Sequence, residues 1–184
     1  GSRGPCRSMI PADTKQRFFQ EYPFAWFGIL CEAPPSHEVL IYSRSERGFA
    51  LISQRSENVQ RMYFQTSPDT EVADWSDDRI WSELQARVDG PDGFALKTGA
   101  IIDKNILPFR SAVTEPMQHG SLFLAGDSAH TVPPTGAKGL NLAFADVSVL
   151  APALISALKD SDAEALAGYS RTATKRVWLS LIHI

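Results

Sequence analysis

The segment LFLAGDSAHTVPPTGAKGLN, residues 122–141, decides the fold of this 184-residue chain. Its first four residues, 122–125, are apolar and predict a buried strand. Asp127 follows almost at once, and then come a Pro-Pro loop, two glycines and the start of a helix. A strand with an acidic residue at its end, a glycine loop and a helix N-terminus hold polar cofactors at the edge of α/β sheets. The segment therefore predicts an α/β (α+β) architecture with a cofactor site.

Each part of this segment has a physical role in the expected site. The Asp127 carboxylate can accept hydrogen bonds from a polyol or a ribose. Gly136 and Gly139 carry no side chain, so they let the backbone approach a flat ring closely. The helix that opens near Leu140 and Asn141 presents unpaired N–H groups and roughly half a positive charge. We expect these five residues to bind the cofactor.

The composition excludes several classes of protein. Hydrophobic residues make up 43% of the chain, enough for a packed core, and the formal net charge of -3 argues against a nucleic-acid binder. No apolar run reaches the roughly 18 residues of a membrane span. Two cysteines, Cys6 and Cys31, are too few for a disulfide framework, which favours the cytoplasm. The four histidines show no metal-ligand spacing, so no metal site is expected.

Hydrophobic periodicity and turn residues predict a strand-rich middle between helical ends. The helices are expected at 14–22, from an N-cap at Ser76 to about 88, from about 141 to 150, and at 163–181. Pro152 predicts either a kink or a new helix starting at 151–152. The strands are expected at 24–31, 38–42, 48–54, 60–65, 100–110 and 111–115.

Polar side chains converge on one face of the predicted meander 38–65. Side chains alternate along a strand, so Ser53 shares a face with Arg55, and Arg61 shares a face with Tyr63 on the next strand. Tyr42 lies on the strand before. A guanidinium binds a carboxylate through two parallel hydrogen bonds, and tyrosine can meet a phenol. This set is suited to a small aromatic acid.

A second interpretation of the same face is that it points to solvent, where Arg, Ser and Tyr are ordinary residues of an antiparallel sheet. However, Phe49 and Leu51 share the face of Ser53 and Arg55. A face that is half apolar and half polar is more typical of a pocket wall. The pattern alone leaves both interpretations open.

With both segments in view, the chain resembles the flavin-dependent aromatic hydroxylases. The segment GDSAHTVPPTGAKGLNLAFADV resembles the second FAD fingerprint of this family. Four further segments resemble other parts of the family's sequences: YPFAWFGIL, RGFALISQRS, DWSDDRIWSEL and EPMQHGSLFLAGD. The similarity runs from about Gly4 to Trp178. It implies part of the flavoprotein monooxygenase fold: an FAD-domain remnant at 1–15, a substrate-binding domain with an antiparallel sheet at 16–118, and the later strand-loop-helix part of the FAD domain at 119–184.

The resemblance also implies an activity, the hydroxylation of 4-hydroxybenzoate or a close phenolic acid beside its phenol group, with FAD, NADPH and O2. Arg55 would hold the carboxylate, assisted by Ser53 and Tyr63. Tyr42 would hydrogen-bond the substrate hydroxyl and favour its phenolate, and the backbone carbonyl of Pro134 would meet the same hydroxyl. A homodimer is implied by analogy.

The cofactor contacts follow from the same resemblance. Asp127 would bind the ribityl chain of FAD, and Leu140 and Asn141 would contact the pyrimidine edge of the flavin. Arg61 would lie near the flavin and help it to move. Two residues are implied for NADPH: Arg7 and Arg110.

The chain also departs from the family pattern. The N-terminal GxGxxG unit for the ADP half of FAD is absent, Arg3 replaces an expected histidine, and residues 179–184 do not match. We therefore expect a fragment without the N-terminal GxGxxG region and the C-terminal end. A catalytically inactive fragment, or a binding or scaffold domain of the same fold, is the alternative.

Two other enzyme classes fit the sequence poorly. Ser128 and His130 suggest a serine hydrolase, but a nucleophile and its base two residues apart point away from a common substrate, and no G-x-S-x-G elbow is present. The stretch 136–139 lacks the G-x-x-x-x-G-K-[ST] spacing of a P-loop.

Overall fold

The structure is a computed structural model, and it describes residues 5–181. The strands are β1 Gln16–Glu32, β2 Ile41–Ser45, β3 Gly48–Ser56, β4 Val59–Thr66, β5 Ala100–Glu115, β6 Gln118–His119, β7 Leu122–Phe123 and β8 His130–Thr131. The α-helices are α1 Asp77–Val88, α2 Lys138–Lys159, α3 Glu164–Ala167 and α4 Tyr169–Leu181. The chain divides into two compact units, one comprising Tyr22–Phe109 and the other the residues before and after that stretch. The mixed helix and antiparallel-sheet fold class predicted from the sequence is confirmed.

The Tyr22–Phe109 unit is built on an antiparallel meander in which β2, β3, β4 and β1 are neighbours in that order. The predicted strands 48–54 and 60–65 lie inside β3 and β4. The predicted strand 38–42 is displaced towards the C-terminus, since β2 begins at Ile41 and continues to Ser45. Ser43 is held in β2 because its Oγ donates to the backbone oxygen of Arg87 at 2.6 Å.

The predicted helix at 14–22 is wrong, because β1 already begins at Gln16. Aromatic residues favour extended backbone, and Phe18 packs edge-on against Trp178 at 5.1 Å between ring centroids. Pro23, expected to end a helix, lies inside the strand, where its fixed φ is compatible with extended chain. The two strands predicted at 100–110 and 111–115 are a single strand, β5.

Helix α1 forms as predicted, and it packs against one face of this sheet. Ser76 is its N-cap, and its side-chain oxygen accepts a hydrogen bond from the Arg79 backbone N–H at 3.3 Å. Ile80 and Leu84 are fully buried, and they join a core that includes Phe27 and other side chains of β1, β3 and β4. The local capping and apolar-stripe signals were therefore sufficient to place this helix.

A buried arginine joins α1 to the meander. Arg87, 7% exposed, donates through Nε to Glu83 at 2.8 Å and through one Nη to the backbone oxygens of Phe49 and Gln65 at 3.0 and 2.8 Å. Glu83 also pairs with Arg47. The hydrogen bonds from Arg47 and then Arg87 hold the pKa of Glu83 below its ordinary value, although burial opposes this shift.

This network predicts an acid-dependent loss of stability. Because the pKa of Glu83 is lower in the folded chain than the roughly 4.3 of an unfolded glutamate, its ion pairs stabilise the fold above that value. The contribution disappears as the pH falls through the folded pKa. The difference in unfolding free energy between wild type and Glu83→Gln should be constant above about pH 5 and shrink below it. Glu57→Gln, in the exposed β3–β4 turn, is the control, and a Glu83→Gln difference independent of pH would contradict the assignment.

The other unit holds the helices that follow the fingerprint segment. Helix α2 continues through Pro152, so of the two predicted alternatives, a kink or a new helix at 151–152, the new helix is wrong. The predicted last helix is interrupted at Gly168, which separates α3 from α4. The strand predicted at 122–125 is shorter and antiparallel: β7 pairs with β6, and Leu124 continues as buried chain whose N–H bonds to the Met117 oxygen at 2.8 Å.

Helix α2 has an unusual composition for its environment. With 22 residues, the helix is long and apolar enough to cross a membrane by length and composition alone. Its mean hydropathy is 1.6 over an 18-residue window, and 17% of that window is buried. Its uninterrupted apolar stretches are nevertheless short, because polar residues such as Asp146 and Ser148 lie along the helix. Core helices of other proteins pass the same test. Within residues 5–181, no group of three or more His, Cys, Asp or Glu side chains is placed to hold a metal ion.

Candidate functional site

The fingerprint segment places an exposed acid on a firmly held turn. Gly126 has a φ of +57°, and an added Cβ would lie 3.1 Å from the Ala143 side chain, so glycine is needed there on both counts. Asp127 follows in the 3-10 turn Gly126–Ser128, and it is exposed. Ser128 closes the turn, since its Oγ donates to the Ala125 oxygen at 2.7 Å and accepts from the Ala125 N–H at 3.1 Å. The turn therefore presents a carboxylate in a defined place.

The N-terminus of α2 follows the Pro-Pro loop. The helix begins at Lys138 after Ala137, which has a left-handed φ of +49°, and no side chain in the described part of the chain caps its first N–H groups. An added Cβ would make only ordinary contacts at Gly136 and Gly139, at 3.4 and 3.7 Å. Neither has a positive φ, so the packing of residues 5–181 does not account for these glycines. The first turn is open, with Leu140 67% exposed and Asn141 also exposed.

The meander brings into register four of the five residues of the polar face predicted from the sequence. Tyr42 pairs with Leu51, which pairs in turn with Tyr63, while Ser53 pairs with Arg61. Directly paired residues point to the same side of an antiparallel sheet, so these side chains share one face. Ser53 Oγ donates to the Arg61 backbone oxygen at 2.8 Å, an intrachain partner that was not predicted.

Arg55 lies at the end of this row. The register shifts between Gln54 and Ser56, so Arg55 falls at an irregularity in the ladder, and it is exposed. Irregularities of this kind change the direction of a side chain and are frequent beside functional sites. The guanidinium of Arg55 is therefore accessible to an anion.

The face has an aromatic floor. Trp26 is buried and contacts Phe49, Tyr63 and Phe109 at centroid distances of 5.4, 4.9 and 5.0 Å. Phe49 in turn contacts Tyr42, which is 59% exposed. The face is thus apolar at its base and polar at its rim, as in many small-ligand sites, and it differs from a uniformly solvated sheet surface.

Two residues of this face, Gly28 and Asn105, were missed by sequence reasoning. Gly28 pairs with Tyr63, and an added Cβ would lie 2.6 Å from Asn105 Oδ1 and 3.0 Å from a ring carbon of Tyr63. A larger residue at position 28 would therefore displace the Asn105 and Tyr63 side chains from where they lie over β1. The available signal was a glycine inside an otherwise apolar strand, which marks a close approach of other groups.

A basic cluster lies in the other unit. Burial and the nearby charges of Arg17 and Arg110 lower the pKa of Arg7, so Arg7 lies close enough to both of the other arginines to be repelled by them. Arg7 and Arg110 were expected to act together. Arg17 was missed because its segment was predicted to be helical and is instead the start of β1.

The predicted site residues thus fall on two separate units. The meander unit carries Tyr42, Ser53, Arg55, Arg61 and Tyr63; the other carries Arg7, Arg110, Asp127, Pro134, Gly136, Gly139, Leu140 and Asn141.

An exposed carboxylate on a glycine turn, followed by an open helix N-terminus, is typical of a cofactor-binding protein. The chain belongs to the FAD binding domain family, whose model matches residues 1–181.

Nearly all of this chain is similar to part of a known enzyme. It is 49% identical over 178 residues, 97% of this chain, to the p-hydroxybenzoate hydroxylase of Acinetobacter baylyi, of which it spans 44%. Among solved structures, an aklavinone-11 hydroxylase in complex with FAD and aklavinone matches 92% of this chain and 32% of its own, with a TM-score of 0.73 and 21% identity. The p-nitrophenol 4-monooxygenase of Pseudomonas putida matches 94% and 44%, with a TM-score of 0.66 and 20% identity. These two structures establish a shared fold, and the predicted partial flavoprotein monooxygenase fold is confirmed.

Proposed function

We propose that this chain is part of an FAD-dependent monooxygenase, a 4-hydroxybenzoate 3-monooxygenase, that hydroxylates 4-hydroxybenzoate beside its phenol group with NADPH and O2. The observation that carries the proposal is the 49% identity to a p-hydroxybenzoate hydroxylase over 97% of the chain. Three of the substrate residues implied by the resemblance, Tyr42, Ser53 and Tyr63, share the aromatic-floored face of the meander, which supports the same conclusion.

The residues of the fingerprint segment fit FAD. Asp127 is exposed and can accept hydrogen bonds from the ribityl hydroxyls, while the uncapped N-terminus of α2 favours negative charge on the flavin ring. Gly136 and Gly139 leave the backbone open to a flat ring at positions that the chain's own packing does not explain. Bound FAD would supply the transfer of electrons from NADPH and of one oxygen atom from O2 to the substrate.

The meander residues bind and orient the aromatic acid. Arg55 pairs with the carboxylate through two hydrogen bonds, and Tyr63 adds a third. Ser53 can donate to the same carboxylate only if its hydroxyl leaves the Arg61 oxygen, so its contribution includes a rotation. Arg61 acts near the flavin and assists its movement. These contacts position the substrate ring, and none of these residues forms a covalent bond with it.

Activation of the ring depends on Tyr42. An electrophilic oxygen is accepted by an electron-rich ring, so the phenolate reacts better than the phenol. A hydrogen bond from the Tyr42 hydroxyl to the ionised substrate lowers the pKa of the substrate phenol. The backbone carbonyl of Pro134 accepts a hydrogen bond from the substrate hydroxyl when that hydroxyl is protonated.

The arginine cluster is suited to the phosphates of NADPH. Arg7 and Arg110 provide guanidinium groups, which bind phosphate oxygens in pairs. Arg17 adds a third positive charge, and a bound phosphate would relieve the repulsion that lowers the pKa of Arg7.

Product analysis tests this function and the role of Tyr42 together. The chain is supplied with FAD, NADPH, O2 and 4-hydroxybenzoate, and 3,4-dihydroxybenzoate is measured by chromatography. Tyr42→Phe should bind substrate almost normally but form product at least about tenfold more slowly, because the hydrogen bond that favours the phenolate is lost. Unchanged turnover in Tyr42→Phe would contradict the phenolate role.

A second candidate is a binding domain without activity of its own. It is favoured by one observation, that the chain spans less than half of the curated relative's length. FAD uptake with no dihydroxy product would support this alternative against the monooxygenase.

A further inference from the structure

A buried carboxylate on α2 holds the turn that carries Asp127. Asp146 is 1% exposed, and its Oδ2 accepts the Gly126 backbone N–H at 2.8 Å. The same oxygen lies 2.7 Å from Nε2 of His130, which is 2% exposed. The sequence suggested His130 only as a candidate hydrolase base, and no pattern in it indicated a role for Asp146.

The chemistry of this pair defines its hydrogen bonds. An ionised carboxylate only accepts, so Nε2 of His130 carries the proton and donates to Asp146. Hydrogen bonds to a charged acceptor are stronger than neutral ones, and a buried carboxylate is tolerated only with such partners. Asp146 therefore holds both donors firmly.

The two donors belong to different pieces of the site. Gly126 directly precedes Asp127, while His130 pairs with Val113 of β5. Asp146 itself lies eight residues into α2, about 12 Å from its first residue. The carboxylate therefore connects the acidic turn, the sheet and the helix whose N-terminus forms the rest of the cofactor site.

A second hydrogen bond supports the same turn at the residue where the strand leads into it. Tyr169, fully buried on α4, donates its hydroxyl to the Leu124 oxygen at 2.7 Å. Burial, and then the charge of Asp146, raise the pKa of Tyr169, so its hydroxyl remains a donor. The strand-to-turn segment is thus held on both sides of Ala125.

We propose that Asp146, together with His130, is a positioning residue for FAD: it sets the direction of the Asp127 carboxylate relative to the N-terminus of α2. This inference rests on the proposed FAD site. It adds two buried residues that act through Asp127 and contact no cofactor atom.

The experiment compares wild type with Asp146→Asn, Asp127→Asn and Asp160→Asn by two measurements. NMR gives the Gly126 amide proton shift and the His130 ring nitrogen shifts without flavin, and fluorescence titration gives the Kd for FAD. Asp146→Asn keeps the shape and removes the charge, so the Gly126 amide should move upfield, the His130 ring shifts should change, and the Kd should rise about tenfold. Asp127→Asn should raise the Kd without moving the His130 ring signals. Asp160→Asn, an exposed acid at the end of α2, should change nothing.

The outcomes separate this inference from the proposed function. Unchanged Gly126 and His130 signals in Asp146→Asn, or changed signals with a wild-type Kd, would overturn the positioning role. If no protein binds FAD, wild type included, the proposed function fails, and the positioning role that rests on it fails too, even where the signals move as expected. Should Asp146→Asn not fold, His130→Gln decides: a Kd about threefold higher supports the inference, and an unchanged Kd contradicts it.

Discussion

Replacing Arg55 with alanine is expected to weaken binding of 4-hydroxybenzoate about 100-fold and to leave the Kd for FAD unchanged. A 100-fold loss corresponds to about 2.8 kcal/mol, within the range for hydrogen bonds to a charged group. Arg55 is exposed at the irregular end of the β3–β4 ladder, so its removal leaves the sheet intact. Calorimetric titration of the FAD-loaded protein with 4-hydroxybenzoate measures the effect.

Two control variants separate a specific contact from a general charge effect. Arg55→Lys keeps the charge and loses the paired geometry, so it should bind more weakly than wild type and more tightly than Arg55→Ala. Arg171→Ala removes an exposed arginine of α4 and should not alter binding. Equal losses of FAD and substrate affinity in Arg55→Ala would contradict the assigned role.

The largest effect on stability is expected for Arg87→Met, which should lower the free energy of unfolding by about 3 kcal/mol. The substitution keeps the apolar stem but leaves the Phe49 and Gln65 oxygens without their donor. It also removes one of the two arginine partners of Glu83. Urea unfolding followed by tryptophan fluorescence reports on this unit, which contains Trp26, Trp75 and Trp81.

Arg44→Met is the matched control for this prediction. Arg44 is exposed on β2 of the same sheet, and its replacement should change stability by less than about 0.5 kcal/mol. A loss below about 1 kcal/mol for Arg87→Met would show that the buried guanidinium does not join α1 to the meander as the geometry indicates.

Much of the fold was predictable where the signal is local. The Ser76 cap and the apolar stripe of α1 lie within one stretch of chain, and β3 and β4 show clear strand composition. The segment 14–22 was mispredicted because its conformation depends on partners far along the chain, such as Trp178. The end of β2 depends likewise on Arg87, 44 residues from Ser43.

In the candidate site, too, features set by one short stretch of chain could be predicted, and features that depend on distant residues could not. Asp127 and the α2 N-terminus could be located from one continuous motif. Alternation predicted that Ser53 shares a face with Arg61 and Tyr63, whereas Arg55, predicted on the same face, falls at an irregularity in the ladder. The need for Gly28 became visible only once β1, β4 and β5 were side by side. The pairing of Asp146 with His130, sixteen residues apart, has no counterpart in any spacing rule applied to the sequence.

FAD binding by this chain is tested most directly by the visible absorption spectrum of the purified chain after mixing with FAD and removal of the unbound cofactor. We expect a yellow complex with about one flavin per chain and quenched or shifted flavin fluorescence. A chain that melts cooperatively, and is therefore folded, but retains no flavin would contradict it.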